Sequence, residues 1–211
     1  MKNIIITGGL GYIGTELCKI YSGVSWNHKI TVIDNRFISE RVNQLRNWNI
    51  NFVHGDILDK GLINKYCKDA DIVHHLAGIT DVPRVKKDSN DSIDNQIIMV
   101  GEKGTQNILD VISDKCKIIF PSTHVVYEGL DKVKNDINED ENTKPVLAYA
   151  ISKANNEKQL KDSGKNYIIL RLGSVYGYST DTARIDIMPN LFSKIASQNG
   201  TLKLFSGGRQ V

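Results

Sequence analysis

The stretch Met1-Lys2-Asn3-Ile4-Ile5-Ile6-Thr7-Gly8-Gly9-Leu10-Gly11-Tyr12-Ile13-Gly14 decides how this chain is read. Ile4, Ile5 and Ile6 are β-branched and uninterrupted by polar residues. That pattern suits a central strand of a parallel sheet, covered on both faces. Gly8, Gly11 and Gly14 follow at three-residue steps, and Tyr12 to Ile20 carries an apolar helical pattern. A strand that feeds a glycine turn into a helix N-terminus offers free backbone N–H groups to an anion. The missing Cβ atoms let a pyrophosphate approach. Glycines also make ordinary strand-to-helix turns, so the rest of the chain has to be read with them.

Working outward, strands and helices alternate. Lys29 to Asp34 reads as a second strand, Phe37 to Trp48 as a partly helical connection, and Asn51 to His54 as a third strand. Lys60 to Lys68 has Leu62, Ile63 and Tyr66 on one helical face, and Asp71 to His75 is a fourth strand. Ile93 to Ile112 is a long helix, Lys117 to Phe120 a fifth strand, and Glu128 to Lys144 a charged loop. Ala148 to Lys161 is helical and Asn166 to Leu170 is a sixth strand. Alternation of this kind argues for an α/β fold, and right-handed crossovers make it a Rossmann-type doubly wound parallel sheet with helices on both faces. Beyond Leu172 the pattern changes to loop, a helix over Ile187 to Ser197, and a short strand over Thr201 to Phe205. The division expected is a Rossmann domain over 1–172 and the start of a small, incomplete substrate lobe over 173–211.

Composition bounds the partners. The net charge is +3 without a dense Lys/Arg block, and no apolar run could span a bilayer, so neither nucleic acid nor membrane is expected. Cys18, Cys67 and Cys116 are odd in number and widely spaced, which reads as reduced, buried thiols in a cytoplasmic protein. The histidines have no metal-ligand spacing, and His74 and His75 are adjacent on a strand and so face opposite ways.

Asp34 closes the second strand, twenty residues after Gly14. An acid there accepts the adenosine ribose hydroxyls and repels a 2′-phosphate, which favours NAD over NADP, while nearby Arg36 pulls the other way. Gly55-Asp56-Ile57 follows the third strand, where an Asp can accept from the adenine amino group or simply close a turn. Tyr149 and Lys153 sit four apart on a helix and share a face. A phenol titrates near ~10 and needs lowering by roughly three units, on the order of 4 kcal/mol, to exchange protons near neutral pH. A neighbouring ammonium and the cationic ring of NAD can supply that. Ser122 and Thr123 end the fifth strand, where open sheets bind ligands, and either hydroxyl can meet a substrate oxygen or satisfy a turn.

In order, these residues resemble the extended short-chain dehydrogenase/reductases, the NAD-dependent epimerase/dehydratase family that includes nucleotide-sugar epimerases. Thr7-Gly8-Gly9-Leu10-Gly11-Tyr12-Ile13-Gly14 is similar to its Thr-Gly-x-x-Gly-x-x-Gly loop. Val32-Ile33-Asp34-Asn35, Gly55-Asp56-Ile57 and His75-Leu76-Ala77-Gly78 resemble its next landmarks. Pro121-Ser122-Thr123-His124-Val125-Val126-Tyr127, Tyr149-Ala150-Ile151-Ser152-Lys153 and Leu170-Arg171-Leu172-Gly173-Ser174-Val175-Tyr176-Gly177 resemble its catalytic strand end, its Tyr-x-x-x-Lys helix and its Arg-x-x-Asn-Val-Tyr-Gly loop.

The resemblance implies NAD held by Gly8, Gly11, Tyr12, Ile13, Gly14, Asp34, Asn35, Asp56, Ile57, Leu76, Ala77, Gly78, Tyr149 and Lys153. It implies Tyr149 as catalytic base, Lys153 lowering the phenol and holding the nicotinamide ribose, and Thr123 orienting the substrate hydroxyl, with Ser174 on the substrate side. The activity implied is a 4-epimerase type of oxidation and re-reduction of a nucleotide sugar through a keto intermediate, in a homodimer built on a four-helix interface of Ile93 to Ile112 and the Tyr149 helix. A reductase of the same family, and an NAD-binding module without turnover, stay open. Dehydratases of the family follow the catalytic Thr with an acid, and here His124 and Val125 stand there. Ser174 replaces the family's Asn, and the family's Asn of the long helix falls at Gly101 or, in another register, near Asn95. Phe205-Ser206-Gly207-Gly208-Arg209-Gln210 resembles the start of a nucleotide contact in a lobe that is longer in the family.

Overall fold

The structure is a computed structural model that describes residues 1–80, 90–132, 134–180, 184–185, 187–204 and 207. Six parallel strands form one sheet in the order β3-β2-β1-β4-β5-β6. They are β1 (Asn3–Thr7), β2 (Lys29–Asp34), β3 (Asn51–His54), β4 (Ile72–His75), β5 (Lys117–Thr123) and β6 (Asn166–Leu172). Between and after them run α1 (Tyr12–Ser22), α2 (Ser39–Asn47), α3 (Lys60–Cys67), α4 (Asp91–Leu109), α5 (Ala148–Asp162) and α6 (Met188–Ser197). The strand order reverses between β1 and β4, which opens a crevice at their carboxyl ends.

The three isoleucines of β1 explain the two layers. Alternation along the strand sends Ile4 and Ile6 to one face, where they pack with Leu10, Cys18, Val32, Val42 and Leu45 under α1 and α2. Ile5 goes to the other face, into a core with Ile63, Val73, Ile108, Ile118 and Leu160 under α3, α4 and α5. All three isoleucines are fully buried, as a strand covered on both faces requires.

Several boundaries differ from the reading of the sequence, for identifiable reasons. Helix α4 starts ahead of Ile93 because the Asn90 side chain caps it, accepting from Ser92 N at 3.0 Å, with Asp91 and Asp94 in the first turn favouring the helix dipole. Strand β5 does not stop at Phe120. It runs through Pro121, which pairs with Leu170, to Thr123. Proline costs a ladder donor, yet β6 continues alongside to Leu172 and carries the pairing past it. A turn of 3-10 helix over His124–Tyr127 follows at once. The short strand expected over Thr201 to Phe205 is absent from 201–204, and 205 lies outside the described residues. Of the stretch Phe205 to Gln210 only Gly207 is described. Among the described residues, no helix is long and apolar enough to cross a membrane.

Candidate active site

The crevice at the strand ends widens into a cavity of about 780 Å³. One end is built by the glycine turn. Gly8 has φ +70° and its N–H bonds to Ile33 O at 2.8 Å, so the chain leaves β1 through a left-handed residue pinned to β2. Gly14 lets α1 settle on that turn: a Cβ there would lie 2.6 Å from both Gly8 O and Gly9 Cα. Gly11 is the N-cap of α1 and supplies no side-chain cap, so the first turn of α1 meets the cavity with backbone N–H groups. Gly8, Gly11, Tyr12, Ile13 and Gly14 all line the cavity.

Asp34 is buried at the end of β2, with one carboxylate oxygen accepting from Leu10 N at 2.9 Å and the other from Arg36 N at 2.9 Å. Arg36 also approaches that second oxygen through Nε at 3.4 Å, with its side chain about half exposed. Asn35 donates to Asp56 at 3.1 Å, so the two candidate adenosine contacts are linked, and Asp56 also closes its own turn by accepting from Leu58 N at 2.9 Å. Ile57, Leu76, Ala77 and Gly78 complete this wall.

Thr123, Tyr149, Lys153 and Ser174 line the same cavity at its other end. Thr123 closes β5, and its hydroxyl accepts from Val125 N at 3.3 Å, capping the 3-10 turn. Lys153 is buried on α5, donates to Pro121 O at 2.8 Å, and stands 4.4 Å from the Phe120 ring centroid and 5.7 Å from that of Tyr149. Burial pulls its ammonium down to about 8. Burial pushes the Tyr149 phenol up, against the pull of the Arg184 charge. The protein's own groups therefore move the phenol opposite to the direction that a base near neutral pH needs.

Ser122 also lines the cavity, but its hydroxyl is engaged elsewhere. Neighbouring side chains of a strand point to opposite faces, and Ser122 Oγ donates to Glu157 at 2.5 Å beneath the site. Glu157 continues the Tyr149, Lys153 row by one more four-residue step. It receives Arg171 in a fork, Nε at 3.0 Å and Nη2 at 2.7 Å, with the carboxylate buried and the arginine side chain 10% exposed. Arg171, the arginine of the last motif, reaches on to the Tyr127 hydroxyl and to Glu139 O at 2.8 Å. The spacing after Lys153 is the signal that exposes Glu157 in the sequence. Arg184 and Ile187, which also line the cavity, come from an irregular segment where no periodicity marks them.

His74 and His75 do face opposite ways, and both are structural. His74 meets the Tyr21 hydroxyl at 2.8 Å, while His75 lies between Thr7 (2.9 Å) and Thr105 (3.1 Å), with burial and the Lys153 charge pulling it down to about 3. His124 stays at the cavity wall, its Nδ1–H donating to Leu172 O at 3.1 Å. Gly101 lies where α4 meets α5: a Cβ would fall 2.2 Å from Ser152 Oγ and 3.2 Å from Asn156 Oδ1. The described acids of the cavity wall are Asp34 and Asp56, both at the end built by the glycine turn.

The chain is 33% identical over 198 residues to a dTDP-D-glucose 4,6-dehydratase of Dictyostelium discoideum, covering 84% of this chain and 44% of that protein. It is 29% identical over 221 residues to a UDP-N-acetyl-alpha-D-glucosaminuronate decarboxylase of Bacillus cytotoxicus, covering 99% of this chain and 65% of that one. It thus spans about half to two thirds of the length of these relatives. The crystal structure of a UDP-glucuronic acid 4-epimerase from Bacillus cereus, in complex with UDP-glucuronic acid and NAD, superposes with a TM-score of 0.77 at 25% identity, over 98% of this chain and 67% of that one. Residues 4–211 match the NAD dependent epimerase/dehydratase family, and this chain belongs to it.

Proposed function

We propose that this chain carries the cofactor-binding and catalytic part of an NAD-dependent nucleotide-sugar epimerase. The observation that carries the reading is that Thr123, Tyr149 and Lys153 converge on one cavity with the glycine turn and Asp34. The residues fit NAD. The cradle at Gly11 is glycine-shaped, since a Cβ there would sit 3.1 Å from Gly8 O, and Asp34 stands where ribose hydroxyls need an acceptor. When bound, NAD supplies a hydride acceptor, a hydride donor and a cationic ring.

The chain's own residues do the rest. The first N–H groups of α1 at Tyr12 and Ile13 hold the pyrophosphate. Asp34, Asn35, Asp56 and Ile57 hold the adenosine, Leu76, Ala77 and Gly78 complete the cofactor wall, and Lys153 holds the second ribose. Thr123 and Ser174 orient the sugar, whose further contacts come from a lobe beginning at 173. Tyr149 Oη takes the proton of the substrate carbinol on oxidation and returns it on reduction. The cavity's reacting end has no acid among its described residues, which disfavours a dehydratase that must eliminate water. A binding module without turnover has no use for Thr123, Tyr149 and Lys153 together.

One observation favours a second reading, a reductase. Burial keeps Tyr149 protonated, which suits a group that only donates. The three buried, unpaired cysteines support a reducing, cytoplasmic setting, and Ile93 and Met99 on the outer surface of α4 support a homodimer on that helix. The test loads the full-length protein with NAD and incubates it with UDP-, dTDP- and GDP-sugars, separating products by chromatography. Interconversion of two epimers without net NADH, abolished in Tyr149→Phe, is expected. Stoichiometric consumption of NADH, supplied in a parallel reaction with keto-sugar nucleotides, would select the reductase, and no conversion in either reaction would sink both.

A further inference from the structure

The chain after β6 folds back across the cofactor helix. The Tyr12 hydroxyl donates to Gly177 O. One turn further along α1, Glu16 accepts from Ser179 Oγ at 2.7 Å. Asn190, in the first turn of α6, accepts from Gly177 N at 3.0 Å and donates to Arg184 O at 2.9 Å. Its amide also reaches the Tyr12 hydroxyl at 3.4 Å. A single side chain thus ties Gly177 to Arg184. Across the cavity, Arg184 Nη1 donates to Thr80 Oγ1 at 3.2 Å, in the loop after β4. The arginine thus lines the same cavity as Tyr149, Thr123 and Ile187.

We propose that Arg184 is a positioning residue for proton transfer at Tyr149, held across the cavity mouth between Thr80 and the Asn190 clasp. This rests on Tyr149 being the proton carrier. Among the described residues, the titratable groups sharing the reacting end with Tyr149 are Lys153 of α5, His124 after β5 and Arg184. Lys153 is committed to Pro121 O and sits over the Phe120 ring, and His124 is committed to Leu172 O. A guanidinium stays charged throughout the working range, so its attraction for a phenolate does not switch off with pH. The Arg184 charge is the influence that opposes the upward push of burial on Tyr149. Thr80 and Asn190 fix where that charge stands, and Tyr12 ties the arrangement to the helix at the pyrophosphate site.

Carbon-13 NMR of the NAD-loaded protein, labelled at tyrosine Cζ, tests this without any sugar substrate. The Tyr149 signal is assigned by its loss in Tyr149→Phe. Arg184→Gln is expected to raise its titration midpoint by roughly half to one pH unit, a three- to tenfold fall in phenolate at fixed pH. Arg184→Lys restores most of it. Thr80→Val keeps the charge but removes one of the arm's anchors, and shifts the midpoint in the same direction by less. An unmoved midpoint in Arg184→Gln overturns the proposal, and so does Arg184→Lys behaving like Arg184→Gln, since charge would then not be the cause. A protein that turns over no sugar nucleotide but shows these shifts refutes the epimerase reading and leaves the role of Arg184 standing.

Discussion

Replacing Glu157 by alanine should be among the most costly single changes in this fold. Its carboxylate is buried and accepts three hydrogen bonds, two from the Arg171 fork and one from Ser122. Removing it takes both fork contacts from the Arg171 guanidinium, whose side chain is 10% exposed and keeps its bonds to the Tyr127 hydroxyl and Glu139 O, so the loss falls toward the lower end of the about 3–5 kcal/mol for breaking a buried ion pair at one partner. Loss of the Ser122 acceptor adds about 1 kcal/mol. Against a typical total of about 5–15 kcal/mol, that is a large share of the stability. With a urea slope of about 2 kcal/mol/M, the unfolding midpoint followed by circular dichroism should fall by roughly 2 M. The pair Glu157→Met with Arg171→Met should recover most of the loss, because buried pairs exchange for apolar groups nearly evenly. The pH dependence has a definite sign. Burial alone would push the Glu157 carboxyl up, but the hydrogen bonds from Arg171 and Ser122 and the charges of Arg171 and Lys161 outweigh it and hold it below its ordinary value. A carboxyl held down in the folded state contributes stability above its unfolded value, near ~4.3, and loses it as pH falls through the folded value. The gap between parent and Glu157→Ala should therefore be full at pH 7 and close in acid. A cost under about 1 kcal/mol, or a double variant no better than the single one, would refute this account of the pair.

Gly14→Ala puts a Cβ against the backbone of Gly8 and Gly9, so NAD affinity by calorimetry should fall at least about tenfold and stability by about 1–3 kcal/mol. Asp34→Asn removes the negative charge facing the ribose while keeping Arg36, so calorimetry should show NAD weakened and NADP strengthened; unchanged preference would count against Asp34 as the discriminator. Lys153→Met should abolish turnover yet leave the fold as stable as the parent or more so at pH 7, by at most about 3 kcal/mol. A lysine pulled down on folding carries its full penalty below its folded value of about 8 and sheds it as pH climbs towards the unfolded value, so this difference should narrow between pH 8 and 10 in urea melts.

What could be read from the sequence follows from what has a period or a fixed spacing. The three isoleucines, the glycine steps and the strand-helix alternation are local patterns, and the doubly wound parallel sheet they imply is the one found. The glycine turn, Asp34, Thr123, Tyr149 and Lys153 lie at strand ends or one helical turn apart, so topology alone brings them to one crevice. The errors have local causes. Pro121 hid the last residues of β5, because a proline usually ends a strand that a neighbour here prolongs. Ser122 and Thr123 could not be told apart until the side toward Glu157 was known. Arg184 and Asn190 could not be reached at all, since their partners Thr80, Tyr12 and Gly177 are more than a hundred residues away or in irregular chain.

The state of Tyr149 bears on how such a site is controlled. Burial is what gives the reacting end a low dielectric, where a positioned charge acts strongly. The same burial raises the phenol and lowers Lys153, so each gain in electrostatic strength moves both groups toward their neutral forms. A site of this kind works as a base only if positive charge is added after the water has gone. In the epimerase reading, bound NAD would supply that charge in its oxidised form and not in its reduced form. Tyr149 would then favour the phenolate beside the oxidised cofactor and the phenol beside the reduced one, so its proton transfers would follow the state of the cofactor. Arg184 supplies a constant part of that charge and the cofactor the part that alternates. A site whose cations were all fixed would lower the phenol equally in both states, and would lose on the return step what it gained on the first.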